Sequence, residues 1–243
     1  MTTRLPAPPA APTSHSILVG GVPVALGLPG EPPPIVFTWH DHGVRFTAGE
    51  GYNKRRRLRI DLAVWHWTGG EGEPLQVADT LRARGYGVEF AIASTGVVYQ
   101  FADPLEVDTA DTAGVNPRSV GVEIVSYGMR GAAPTWVMPK AGGRRLVLPT
   151  RIHGNRCIVA SFLPPQLAAA RALADGLSRA LPGIERRVPR GPDGLVLSRA
   201  MNTVELARFA GHIGHYHVTP QKCDPGPAFM TELHWLFAAP RPA

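Results

Sequence analysis

Cysteine is scarce. Cys157 and Cys223 are the only two in 243 residues, too few for the disulfide framework of a small secreted scaffold. Long apolar runs are missing as well. The longest, Ile17 to Gly30, is broken by Gly and Pro and cannot cross a bilayer as a helix, so membrane insertion is not expected. The first ten residues hold one Arg, and prolines stand where a secretory signal would have its apolar region, so no export address is read there. There is no internal repeat and no Gly-x-x-x-x-Gly-Lys loop, which sets aside solenoids and P-loop nucleotide chemistry. Acidic residues are outnumbered, 19 against 25 Lys and Arg, giving a net charge of +6. A positive surface attracts nucleic acid, anionic lipid or an anionic wall polymer alike. No nucleic-acid motif accompanies the charge, so a nucleic-acid partner is not expected. With 44% hydrophobic residues the chain has enough apolar material for one full core, with or without an appendage.

Taken in order, residues 1–14 read as a Pro/Ala tail and residues 15–50 as a β-rich arm or small subdomain, ahead of a main domain over 51–240. Short β-like runs are expected at Ile17–Val19, Val22–Leu26, Ile35–Trp39 and Val44–Thr47. Period-2 alternation of Leu58, Ile60, Leu62, Val64 and His66 predicts a buried strand that ends at His66. A helix is expected over Pro74–Arg84, a hairpin over Val88–Ala93 and Val97–Phe101, and a second buried strand over Ser119–Val125. Residues 128–160 read as a long loop or an inserted hairpin. Helices follow over Pro165–Leu181, after the Asn202/Glu205 capping box, and from Pro227 onward.

Several residues carry chemistry. His66, at a strand end before Thr68-Gly-Gly70, is rigidly held, as a metal ligand must be, or is a hydrogen-bonded core histidine. Glu123 lies inside an apolar strand, where a carboxylate must be paired, hydrogen-bonded or functional. His215, Lys222, Cys223 and Asp224 crowd one terminal loop with the donor types that zinc takes. His212 and His217 compete with His215, and His217 would share a strand face with it. His40 and His42 form either a metal pair on a strand or a solvated turn, and the basic run Lys54 to Arg57 is a solvated lead-in or a polyanion contact.

Four motifs fall in one order: Val64-Trp-His-Trp-Thr-Gly-Gly70, Phe90-x(5)-Gly96-Val-Val-Tyr-Gln100, Asn116-x-x-Ser119-Val-Gly-Val-Glu123, and Gly214-His215 through Lys222-Cys-Asp-Pro-Gly226. Together they resemble the zinc-dependent N-acetylmuramoyl-L-alanine amidases, which include phage lysins and peptidoglycan-recognition proteins. The resemblance implies an α/β fold, a mixed central sheet flanked by helices, here with an N-terminal β-rich extension. It implies Zn2+ held by His66, His215 and Asp224, with Glu123 and Lys222 as catalytic groups. Thr68 and Asn116, inside the motifs, are taken as substrate contacts. The implied substrate is peptidoglycan or a muropeptide, cut between N-acetylmuramic acid and L-alanine, by a lysin acting on the wall after release or by a cytoplasmic recycling enzyme. A non-catalytic peptidoglycan binder of the same fold is the other class. Three departures stand out: Val88 lies near the position where the family often has Tyr, Thr112 precedes Ala-Gly where the family often has His, and Cys223 adjoins Asp224 as a rival third ligand.

Overall fold

A computed structural model describes residues 14–56, 58–128, 136–137 and 145–238. Tail residues 1–13, Arg57 and most of the segment 129–144 lie outside the described residues. The chain opens with a hairpin of β1 (Ser16–Val19) and β2 (Val22–Ala25), then β3 (Val36–Phe37), a one-turn helix α1 (Trp39–His42) and β4 (Lys54–Arg55). Next come β5 (Leu62–Trp67), α2 (Pro74–Ala83), the hairpin β6 (Phe90–Ile92) and β7 (Val98–Gln100), β8 (Val107–Asp108) and β9 (Ser119–Ile124). A separate antiparallel sheet holds β10 (Trp136–Val137), β11 (Arg145–Ile152) and β12 (Asn155–Ala160). The rest is α3 (Pro164–Ala180), α4 (Thr203–Arg208), β13 (Gly211–Gly214), α5 (His215–Val218) and α6 (Pro227–Ala238).

Six strands form a mixed central sheet in the order β13-β5-β9-β6-β7-β3. The first four run parallel, β7 runs against β6, and β3 follows β7. Parallel strands are covered on both faces, which is why β5 and β9 are nearly continuous apolar runs. One face packs Trp65, Phe90, Ile92, Val120, Val122 and Ile124 against α3 and α6. On the other, Leu62, Val64 and Ile213 meet Val115 and Met201, while Val88, Ala91 and Phe101 meet Phe46 and Ala78 of α2. The α/β architecture with flanking helices is the one the resemblance implied.

The structure corrects several local expectations. Strand β5 begins at Leu62, not Leu58, because β9 and β13 start opposite Leu62 at Ser119 and Gly211 and no neighbour extends the ladder; Leu58 is 57% exposed. Residues 15–50 contribute β3 to the central sheet and Ile17, Val19, Leu26 and Val36 to its main core. The expected strand Val44–Thr47 has no partner strand among the described residues, and Phe46 instead donates its N–H to Phe101 O at 2.9 Å. His40 and His42 are no metal pair on a strand. Thr38 and Asp41 cap each other's backbone and turn the chain into α1, and His42 spends its ring on Gln100 O and the Val44 N–H.

The basic run is the largest correction. Lys54 and Arg55 pair with β8, and the Arg56 side chain is buried, its guanidinium 3.0 Å from Glu89 Oε1. It also donates to the carbonyls of Pro104, Val107, Asn116 and Ser119. The inserted-hairpin reading holds for β11 and β12, and fully buried Arg145 anchors it through Glu71, Gln166 and the Val125 carbonyl. Asn202 caps α4 as expected, its Oδ1 accepting from Val204 and Glu205 N–H.

Candidate active site

Ligand sites in parallel sheets form beyond the carboxyl ends of the strands, and three strands end together here. The register of β5 against β9 sets His66 opposite Glu123. Strand β13 ends with Gly214 opposite Trp65, so His215, the first residue of α5, emerges beside His66. A side chain on Gly214 would come within 2.8 Å of Pro225 Cδ; glycine lets that ring close in. The Tyr216 N–H then donates to Asp224 O at 3.1 Å and brings Asp224 to the imidazoles.

The outcome is a triangle of donor atoms. Asp224 Oδ2 lies 3.0 Å from His66 Nδ1 and 3.3 Å from His215 Nδ1, and the two ring nitrogens are 3.0 Å apart. Ligands about 2.0–2.2 Å from a tetrahedral zinc would sit about 3.3–3.6 Å from one another, so a donor set this close together fits one ion after slight spreading. All three residues are buried and form a group able to hold a metal ion.

The second nitrogen of His66 fixes the first. Its Nε2 is 3.1 Å from Asp111 Oδ2, and Thr112 Oγ1 bridges the two, 3.1 Å from Nε2 and 2.9 Å from the carboxylate. With Nε2–H donated to Asp111, the Nδ1 lone pair is free for a cation. The sequence reading missed Asp111. It stands in a loop without periodicity, beside the Thr112-Ala-Gly114 segment that departs from the family pattern. Gly121 in β9 makes room for it, since a β-carbon there would lie 2.5 Å from Asp111 Oδ2. Gly121→Ala should therefore displace Asp111 and weaken zinc binding about 10–100-fold, checked by competition titration with a chromogenic chelator.

Charge favours a cation at this place. Burial pulls the His66 ring's pKa down, but the Asp111 and Asp224 bonds and the nearby Glu123 charge outweigh it and push it up to about 10. For Asp224, burial works upward, yet the bonds to His215 and His66 hold the carboxyl well below the usual range. Burial lowers His215. Burial also pushes Glu123 up to about 7, against the pull of the His66 and Lys222 charges, and its Oε2 has no hydrogen-bond partner among the described residues. Such a carboxyl can hold or release a proton near neutrality.

These groups line one groove of about 970 Å³, together with Thr68, Asn116, Lys222 and the α2 residues Gln76 and Thr80. It extends to the exposed Tyr52 and Tyr86, whose rings lie 5.8 Å apart. The Thr68 hydroxyl donates to Gly70 O, and Asn116 Oδ1 accepts the Thr112 N–H. His212 and His217 lie elsewhere. His212 is fully buried between Trp65 Nε1 and the Ser178 hydroxyl. His217 does not share a strand face with His215, because residues 215–218 are helical; its ring bonds Leu197 O and the Gly214 N–H. Cys223 turns away, half-buried on the core and within hydrogen-bond reach of Cys157. We expect Asp224→Ala to lose bound zinc and Cys223→Ala to keep it, as read by metal analysis of the purified variants; the reverse result would assign the thiol.

No curated protein matches the chain in sequence. Among solved structures, the endolysin Ph2119 from a Thermus scotoductus bacteriophage is similar over 82% of this chain and 99% of its own, at 17% identity and a TM-score of 0.47. The amidase LysCS from Clostridium intestinale covers 81% and 90%, at 16% identity and a TM-score of 0.44. The Drosophila peptidoglycan recognition protein SD covers 86% and 97%, at 13% identity and a TM-score of 0.48. The family model described as N-acetylmuramoyl-L-alanine amidase matches residues 56–227, a span that takes in His66, Asp111, Glu123, His215 and Asp224. With well over half its length matched, this chain belongs to the N-acetylmuramoyl-L-alanine amidase family.

Proposed function

We propose that the chain is a zinc hydrolase that cuts the amide between the lactyl group of N-acetylmuramic acid and L-alanine of the stem peptide. The observation that carries this reading is the donor triangle of His66, His215 and Asp224 with Glu123 beside it in an open groove. His66, His215 and Asp224 would hold a zinc ion, which would supply Lewis acidity to the groove. The protein's own groups do the rest. Glu123, poised near neutrality by burial, takes a proton from the attacking water and returns it to the departing α-amine of alanine. The water oxygen bonds to the carbonyl carbon, the C–N bond breaks, and the products are a lactyl carboxylic acid and a free amine. Lys222 brings positive charge to the groove, where negative charge develops on the carbonyl oxygen. Asp111 keeps the His66 ring oriented throughout.

A peptidoglycan binder of the same fold has no use for three converging donors and a carboxyl whose buried Oε2 finds no partner among the described residues, which favours the enzyme. Between the two enzyme roles, the net charge of +6 favours a phage-type lysin, because a cationic protein dwells on an anionic wall; such an enzyme meets its substrate after release from the cell that made it. Purified sacculi and a soluble anhydro-muropeptide separate the roles. A lysin clears the turbidity of sacculi with release of amino groups, and chelation abolishes both. Rapid cleavage of the muropeptide with intact sacculi would assign recycling instead.

A further inference from the structure

We propose that His153, at the tip of the inserted hairpin, is a positioning residue that holds the Lys222–Asp224 segment in its working place. The activity readout rests on the amidase reading above. His153 and Gly154 make the two-residue turn between β11 and β12, with φ of 53° and 79°. Glycine enters that left-handed region freely, whereas His153 is the only non-glycine residue with positive φ among the described residues. A turn of this kind is served at least as well by Asn or Gly, so the histidine answers to something other than the turn.

Its ring answers to two other segments. Nε2 is 2.8 Å from Lys222 O, and Nδ1 is 3.2 Å from the Ala200 amide nitrogen. A carbonyl on one side and an N–H on the other define a neutral tautomer, donating from Nε2 and accepting at Nδ1. The His153 backbone N–H adds a bond to Ser198 O at 2.8 Å. One residue thus ties together the hairpin, the 198–200 segment and the loop that carries Lys222 and Asp224. That loop has little else at this point. Pro220 has no N–H, Gln221 is exposed, and among the described residues the Lys222 N–H makes only a long bond of 3.3 Å to Thr219 O.

The neighbouring strand backs the same loop. Gly226 has Val159 of β12 beside it, and Cys157, two residues back on the same strand face, reaches Cys223. The hairpin therefore flanks the loop from Lys222 to Gly226. Losing the ring bond would free the Lys222 carbonyl and, two residues on, slacken the Asp224 donor.

The test uses three variants of the full chain. His153→Gly keeps the turn without strain and deletes the ring. His153→Ala deletes the ring and keeps the strain. His153→Asn keeps both a left-handed backbone and an amide donor. Zinc release to a chelator, unfolding temperature, and kcat and KM on a soluble muropeptide are measured for each. We expect His153→Gly to lower kcat about 10–100-fold and to speed zinc release about tenfold. KM should stay within about twofold and the unfolding temperature should barely move. His153→Ala should lose at least as much, and His153→Asn should recover part of both effects. Unchanged kcat and zinc release in His153→Gly would overturn the proposal. So would equal losses in the Gly and Asn variants that track their unfolding temperatures. If the wild-type chain releases amino groups from neither the muropeptide nor purified sacculi, the amidase reading fails, and zinc release alone still decides whether His153 acts as a clamp.

Discussion

Glu123→Gln should lower kcat about 10²–10⁴-fold while leaving zinc bound, because the amide has the same shape but cannot take a proton. The geometry isolates the effect well. Glu123 stands across from His66 on the next strand, is not one of the three converging donors, and its Oε2 has no partner among the described residues. Losing it therefore removes a proton acceptor without opening the donor triangle. A second readout has a definite sign. Burial raises the Glu123 pKa from 4.5 to about 7, so this group's contribution to stability is fully present in acid and is lost as the pH rises through that window. Glutamine has no such loss. In zinc-free protein, Glu123→Gln should be the more stable of the two above neutrality, and the difference should close as the pH falls towards 4.5. Unimpaired turnover by the variant would remove Glu123 from the chemistry.

The largest expected loss of stability is at Arg56. Arg56→Met should cost about 3–5 kcal/mol, because it takes away the partner that lets the buried Glu89 ionise and strands several carbonyls at once. Glu89 is fully buried and depends on Arg56 at 3.0 Å, the Thr109 hydroxyl at 2.7 Å and the Gly121 N–H at 2.7 Å. Even so, burial pushes its carboxyl up to about 7. Without the guanidinium, Glu89 would keep its proton at neutral pH, and the variant should regain stability on acidification. The double variant Arg56→Met/Glu89→Gln should recover part of the loss, since no unpaired charge then remains. Urea unfolding of the three proteins at pH 5 and pH 8 checks this. A cost under about 1 kcal/mol for Arg56→Met would mean that the carbonyls find other donors. Activity should fall along with stability, because Arg56 holds the loop from Pro104 to Ser119 that presents Asp111 and Asn116.

These two residues also mark how far a sequence can be read. Glu123 stands out in its apolar strand because a carboxylate there contradicts the pattern around it. His66 is legible for a related reason, since a period-2 run ends on it before a glycine turn. Arg56 is hidden because a short basic run normally faces water, and its partner Glu89 lies 33 residues away. Asp111 gives no local signal at all; its role exists only once Gly121 has brought the carboxylate over β9. His217 misleads for a different reason. Read as a strand, His215 and His217 share a face, whereas one helical turn sends them to different partners. The hairpin was half-legible, as its turn carries only a histidine and a glycine and its role lies in what the tip touches.

The parallel pairing of β13 with β5 has a consequence for how the protein comes into being. Gly211 pairs with Leu62 across nearly 150 residues, so the strand that brings His215 to His66 is made long after its partner. Contacts so far apart in the chain carry a large loop-closure cost and are among the later ones to form. On the zinc reading proposed above, metal binding therefore cannot nucleate the fold in the way it does in a zinc finger; it follows the pairing of β13 with β5. A chain truncated between residues 123 and 211 holds His66 and Glu123 but neither His215 nor Asp224. A hydrolase built on this site is thus inert until β13 is in place.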